Sequence, residues 1–226
     1  MKSKGCLIAI EGIDGSGKTV QSQLLAQNLR TEGRQVEEIS FPRYEESFFG
    51  ELITGYLKGE YGSDPGAVGP YLASLPYACD RWEAAPKIKA WLAAGRVVIC
   101  NRYVSANMGH QGAKISETHK RIEFFKWVDR LEYDVFAVPR PDVQIWLDVP
   151  VAVAVKLIEA RSKLAGAGGM DIHETASHLE KARESYVQMR EVLPGWQRVD
   201  CCAEGNLLSR DRIAAIIMEC VSDIWL

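Results

Sequence analysis

The sequence predicts an α/β chain in three layers, α/β/α, with a central parallel sheet of five strands and a small lid. Short, continuous apolar runs alternate with amphipathic helical stretches, which is the pattern of a parallel sheet covered on both faces. A glycine-rich segment, Gly12 to Thr19, follows directly on the first apolar run. The chain has 226 residues, 47% hydrophobic and 25% charged, which suffices for one packed core without staples. One domain over residues 1–226 is therefore expected, with the lid at about 161–173.

The elements follow in order. Cys6 to Ile10 is a buried strand, since it is apolar throughout and ends at glycine. Val20, Leu24, Leu25 and Leu29 mark one face of a helix that stops near Gly33, a C-terminal cap. Gln35 to Ser40 is the second strand and Phe48 to Leu57 a short helix, followed by a turn over Gly62 to Gly66. Val68 to Leu92 reads as helical, with Pro70, Pro76 and Pro86 as breaks or kinks. Val97 to Cys100 is the third strand, Ile115 to Leu131 a helix, and Val143 to Leu147 the fourth strand. A helix over Val151 to Arg161 follows Pro150. Ser162 to Met170, small, glycine-rich and lying between two helices, reads as a mobile lid of the kind that closes active sites. Trp196 to Asp200 is a weak fifth strand, and the last helix spans about Leu207 to Ile224.

Composition excludes several functions. A formal net charge of −3 without a basic stripe argues against nucleic acid as partner. No apolar run is long enough for a membrane span, and Met1 to Gly5 is too short and polar for a signal peptide. The six cysteines lack C-x-x-C spacing, which argues against zinc. A reducing, cytoplasmic setting is expected.

Gly12 to Thr19 fits G-x-x-x-x-G-K-[ST], the phosphate-binding P-loop, in the context the motif requires: a strand before it and a helix after. Gly12, Gly15 and Gly17 let the backbone curl so that its N–H groups, with that of Ser16, point at phosphate oxygens. Lys18 supplies charge at the β- and γ-phosphates, and the Thr19 hydroxyl is a ligand for Mg²⁺. The fold expected is thus that of a P-loop NTPase, with ATP and Mg²⁺ as cofactors. Asp14 inside the loop is unusual, because a carboxylate among phosphate-binding amides costs electrostatic energy unless it turns toward a second substrate or an arginine.

Ordered motifs from Glu11 to Asp148 resemble the thymidylate kinase family. They are the Glu11-to-Thr19 loop with its internal aspartate, Phe41-Pro42-Arg43-Tyr44, Cys79-Asp80-Arg81-Trp82-Glu83, Asn101-Arg102-Tyr103-Val104-Ser105, and Pro139 to Asp142 leading to Leu147-Asp148. The resemblance implies ATP-dependent phosphorylation of dTMP. It implies that Arg43 and Arg102 contact the acceptor phosphate, and that Asp14 faces the sugar and those arginines. Phe41 and Tyr77 would pack against the thymine ring, and Arg81 and Asn107 would read its edge. Lys18, Arg102 and an arginine near the lid would stabilise the migrating phosphoryl. With glycine at position 15, that extra cation is expected from Arg161 or Lys163. Asp171 and Glu174 resemble the family's D-x-x-E stretch near the acceptor sugar. A homodimer is implied too.

Two positions depart from the family. Asn101 stands where aspartate is usual, which weakens inner-sphere metal binding there. His110 stands where an aromatic commonly guards against a ribose 2′-hydroxyl. A kinase of another nucleoside monophosphate, such as dUMP or UMP, and a catalytically weak nucleotide-binding relative therefore stay open as alternatives.

Overall fold

The computed structural model describes residues 5–61, 68–165 and 176–222. Five strands form one all-parallel sheet: β1 (Cys6–Glu11), β2 (Val36–Ser40), β3 (Val97–Asn101), β4 (Val143–Asp148) and β5 (Trp196–Asp200). Their order is β2-β3-β1-β4-β5, so the chain turns outward on both sides of β1. Every residue of β1 is buried, as its unbroken apolar run requires in a sheet covered on both faces. The registers place Ile10, Ser40 and Asn101 side by side, and Asp148 beside Asp200. The loops leaving β1, β2 and β3 therefore emerge at one carboxyl edge, where open parallel sheets bind ligands.

The helices are α1 (Lys18–Thr31), α2 (Phe48–Leu57), α3 (Pro70–Ala93), α4 (Val104–Gly112), α5 (Thr118–Asp129), α6 (Val151–Ala165), α7 (Ala176–Val192) and α8 (Arg210–Ser222). They cover both faces: α1 packs with α8, while α4 packs with α3, α5 and α7. A short antiparallel ribbon, β6 (Cys202–Ala203) and β7 (Asn206–Leu207), precedes α8. One apolar cluster runs through the sheet, with Trp146 stacked on Tyr186 of α7 at 6.1 Å.

Several boundaries differ from the sequence reading. Pro76 and Pro86 lie inside a continuous α3, with Pro70 in its first turn, where a missing N–H costs nothing. The helix expected over Ile115 to Leu131 begins at Thr118 and passes into a π-helical turn, Arg130–Val135. The last helix starts at Arg210, because Asn206 and Leu207 pair with β6. The expected lid from Ser162 begins as helix: α6 runs on to Ala165, and the rest of that stretch lies outside the described residues, as does the turn at Gly62 to Gly66. Helix α4 was not anticipated, and α7 was expected only as a helix of unstated bounds after the lid.

Candidate active site

β1 delivers the chain into the glycine loop, and three glycines there hold positive φ: Gly12 at 147°, Gly15 at 77° and Gly17 at 87°. Gly17 caps α1, so the first amides of that helix face the loop's mouth. Gly15 is required for a second reason. A Cβ there would lie 2.5 Å from the Ala154 carbonyl oxygen and 2.9 Å from Ile158, so α6 packs directly on the loop. Lys18 is buried, and its Nζ donates to the carbonyls of Gly12 at 3.0 Å and Ile13 at 2.7 Å. Burial first, then the positive Arg102, pushes its ammonium down to about 7, with Asp14 and Glu11 opposing.

The β3–α4 junction carries Arg102, the arginine expected on the acceptor side. Arg102 sits at φ 65°, a conformation that a non-glycine residue holds only when its surroundings impose it. They do: its N–H donates to Ile10 O at 3.0 Å, and the next N–H, of Tyr103, donates to Glu11 Oε1 at 2.8 Å. The Arg102 guanidinium forms an ion pair with Asp14 and lies 3.0 Å from His110 Nε2. Burial alone would raise the Asp14 carboxyl, but Arg102, His110 and Lys18 outweigh it and hold the group well below the carboxylate range. His110 in turn stacks on His178 of α7, ring centres 5.7 Å apart.

A cavity of about 450 Å³ opens beside this arginine, lined by Asp14, Thr19, Phe41, Tyr44, Tyr77, Arg81, Asn101, Arg102, Asn107, His110, Gln111 and Arg161 among others. Tyr77 and Arg81 stand one turn apart on α3, as their spacing requires. The Arg81 guanidinium lies over the Phe41 ring at 5.9 Å. A second cavity of about 680 Å³ is lined by residues 14–21, Asn101, Arg102, Leu157, Ile158, Ala160, Arg161, Leu164, Leu207, Leu208, Arg210 and Ile213. Asp14, Thr19, Asn101, Arg102 and Arg161 line both, so the two spaces join at a charged waist.

Thr19 and Asn101, both at this waist, are in contact. Asn101 Nδ2 donates to Thr19 Oγ1 at 3.2 Å and to Ser40 Oγ at 3.3 Å, while Asn101 Oδ1 is buried without a partner among the described residues. The Thr19 hydroxyl beside the glycine loop fits Mg²⁺, which takes few protein ligands and completes its shell with water and phosphate oxygens, while Asn101 faces Thr19 through Nδ2 and would offer Oδ1 only with its amide turned.

The structure does not bring every expected residue to the cavities. Arg43 is absent from both linings. Its Nε donates to Asp80 Oδ1 at 2.9 Å and its Nη2 pairs with Glu83 at 3.2 Å, so it ties the β2–α2 loop to α3. Its neighbour Tyr44 lines the first cavity instead. Arg161 lies on α6 facing both spaces, whereas Lys163 lines neither. Asp171 and Glu174 lie outside the described residues. Sequence reasoning passed over Tyr44, Gln111 and the Leu207-to-Ile213 wall. Tyr44 alone carried a signal, as the fourth residue of the Phe41-Pro42-Arg43-Tyr44 motif.

Comparison with known proteins agrees with this geometry. The family model for thymidylate kinase matches residues 10–200. Thymidylate kinase of Mycobacterium tuberculosis is 31% identical over 190 residues, 84% of this chain and 87% of the relative. The human thymidylate kinase is 27% identical over 230 residues, 98% of each chain. Among solved structures, thymidylate kinase from Candida albicans superposes with a TM-score of 0.75 at 20% identity, covering 99% of this chain and 94% of that one, a likeness of fold.

Proposed function

The chain belongs to the thymidylate kinase family, and from that premise we infer that it transfers the γ-phosphoryl group of ATP to dTMP, giving dTDP and ADP. The junction of the two cavities carries this reading. Such an enzyme must hold two anions tail to tail, and here two nucleotide-sized spaces meet at Arg102, Arg161 and Asp14, next to the glycine loop.

Phosphoryl transfer asks the protein mainly for positioning and charge. In the proposed mechanism the loop amides and Lys18 grip the triphosphate in the larger cavity. Lys18 leaves the Gly12 and Ile13 carbonyls as phosphate oxygens replace them, and the incoming negative charge keeps it protonated. Thr19, with Asn101 beside it, would hold Mg²⁺, which when bound neutralises charge on the phosphate oxygens. Asp14 orients the Arg102 fork toward the acceptor phosphate, where a planar guanidinium binds two oxygens at once. Arg161, reaching the waist from α6, supplies the cation that glycine at position 15 does not. Tyr77 and Phe41 flank the base, Arg81 and Asn107 read its edge, His110 stands by the sugar, and Tyr44 closes the phosphate end. Arg43 acts indirectly, by fixing the loop that presents Phe41 and Tyr44.

Assembly and setting are also proposed. Leu72, 67% exposed, and Trp82, 51% exposed, leave apolar surface on α3, which supports a homodimer through that helix. Light scattering that finds a monomer at micromolar concentration would overturn it. Six free cysteines suit the reducing cytoplasm, and no described helix is long and apolar enough to cross a membrane.

The test is ADP release measured with dTMP, dUMP and UMP side by side. Turnover that depends on dTMP, with dTMP preferred, is expected. A preference for UMP, or no dTMP-dependent turnover, would refute the assignment.

A further inference from the structure

The two groups that read the base edge share one carboxylate. Glu132 stands on the π-helical turn and is wholly buried. Its Oε2 accepts from Arg81 Nε at 2.5 Å and its Oε1 from Arg81 Nη2 at 2.7 Å. The same Oε1 accepts from Asn107 Nδ2 at 3.1 Å, and that nitrogen also donates to the Ser74 carbonyl at 3.1 Å. Both hydrogens of the Asn107 amide are thereby committed. Its Oδ1 is buried with no partner among the described residues, on a side chain that lines the first cavity. Arg81 is gripped through Nε and Nη2, which leaves Nη1 outside the pair. The pocket therefore offers one fixed donor and one fixed acceptor.

A thymine or uracil ring presents a carbonyl oxygen next to N3–H. A cytosine ring presents an amino group next to a bare N3. The first edge complements the Arg81 donor and the Asn107 acceptor; the second sets donor against donor and acceptor against acceptor. We propose that Glu132, which does not itself line the cavity, is a positioning residue that sets base specificity. It fixes Arg81 as donor and Asn107 as acceptor, so that the pocket selects the thymine edge over the cytosine edge. An ionised carboxylate suits this because it only accepts. A glutamine at the same place sets its NH₂ group against an Arg81 N–H in either orientation, against Nε from the Oε2 position or against Nη2 and the Asn107 amide together from the Oε1 position, so the grip on the readers is loosened either way. The inference rests on the dTMP reading above.

The experiment measures kcat and KM for dTMP and dCMP, at saturating ATP, in the wild type and in Glu132→Gln. The ratio of kcat/KM for dTMP to that for dCMP is expected to fall by about tenfold or more, since a site built to hydrogen-bond a base loses selectivity when its readers can turn. The Ser74 carbonyl still holds one Asn107 hydrogen, so selectivity falls without vanishing. KM for ATP should stay within about twofold, the change being confined to the acceptor pocket. A role in packing alone would lower kcat/KM for both substrates in proportion, with the ratio unmoved, and that result overturns the proposal. Should Glu132→Gln fail to fold, Glu132→Asp, which withdraws the carboxylate by one methylene, is measured against the same criterion. Failure of the dTMP reading shows separately, as a wild type without dTMP-dependent turnover.

Discussion

Lys18 and Glu11 show what single charges do here. Lys18 is buried beside the glycine loop where the proposed mechanism places the ATP phosphates, so its removal should act on chemistry and spare the fold. Lys18→Ala should lower kcat by about 10²-fold or more, the scale of losing a charge aimed at the transition state, while a thermal melt shifts little. Near-normal turnover in that variant would sink the proposed mechanism. Glu11 makes a pH-dependent contribution to stability. It is wholly buried and accepts from Tyr103 N–H and from the Tyr186 hydroxyl at 3.2 Å. Burial pushes its carboxyl up from 4.5 to about 7, against the Tyr103 hydrogen bond and the charges of Arg102, Lys18 and Arg81. A folded value above the unfolded one means the folded state binds the extra proton. The stability Glu11 lends is thus full below about pH 4.5 and lost as pH rises through about 7. Urea unfolding of the wild type and Glu11→Gln at pH 5 and pH 8 should show the difference in stability between them moving by about 2–3 kcal/mol in favour of the variant as pH rises. A constant difference would refute it. Side-chain contacts were legible where one motif holds its own partners, as in the Lys18 bonds to the Gly12 and Ile13 carbonyls. They were not legible where the partner is distant in sequence. Nothing near Arg43 announces Asp80, 37 residues on, as its mate, and nothing near Arg81 announces Glu132.

At the level of elements, the contact between α6 and the glycine loop decides how the loop tolerates change. At Gly15 a new Cβ meets backbone that cannot yield without moving α6, whereas at Gly17 nothing lies within 4 Å. Both hold positive φ, so both substitutions carry backbone strain. Gly17→Ala should cost about 1–2 kcal/mol, the strain alone. Gly15→Ala should cost about 1–3 kcal/mol more, as overpacking adds to it, and should weaken ATP binding as α6 is displaced. Thermal melts of the two variants check the order, and equal losses would show that the helix is not seated as described. Arg161 rides on the same helix. Arg161→Ala should lower kcat by about 10²-fold with smaller effects on KM, since it faces both spaces and in the proposed mechanism acts on charge developing between them. The strands were readable because parallel strands buried on both faces are continuous apolar runs. α4 was not, because its sequence VSANMGHQG has two glycines and no apolar stripe, and its burial is imposed by the helices around it. α7 was expected as the helix after the lid, and Leu179, Ala182, Tyr186 and Met189 at helical spacing are the stripe that gives its bounds. The prolines of α3 misled because tertiary packing outweighs a local penalty.

For the whole molecule, the alternation of strands and helices and the loop after β1 sufficed to give the sheet and the edge where the site lies. How the two nucleotide spaces meet depends on loops folding over that edge from five strands, and no local pattern encodes it. The meeting has a measurable consequence. Lys18 lines the larger cavity alone, Tyr77 the smaller one alone, and Arg102 lines both. Sequence reasoning gave Arg102 to the acceptor phosphate and to the migrating phosphoryl, and its place at the waist of both cavities suits the two roles. A ligand that binds only the folded state stabilises it by about 2.7 kcal/mol at one hundred times its Kd, so each cavity can be followed by its own thermal shift. Lys18→Ala should lose most of the shift caused by a non-hydrolysable ATP analogue with Mg²⁺ and keep that caused by dTMP. Tyr77→Ala should do the reverse. Arg102→Ala should diminish both, and in the wild type the two shifts together should differ from their sum, because both ligands change the charge on one shared waist. Two shifts that add in every variant, with Arg102→Ala affecting only dTMP, would mean two separate sites on one sheet edge and not a single site built for transfer between them.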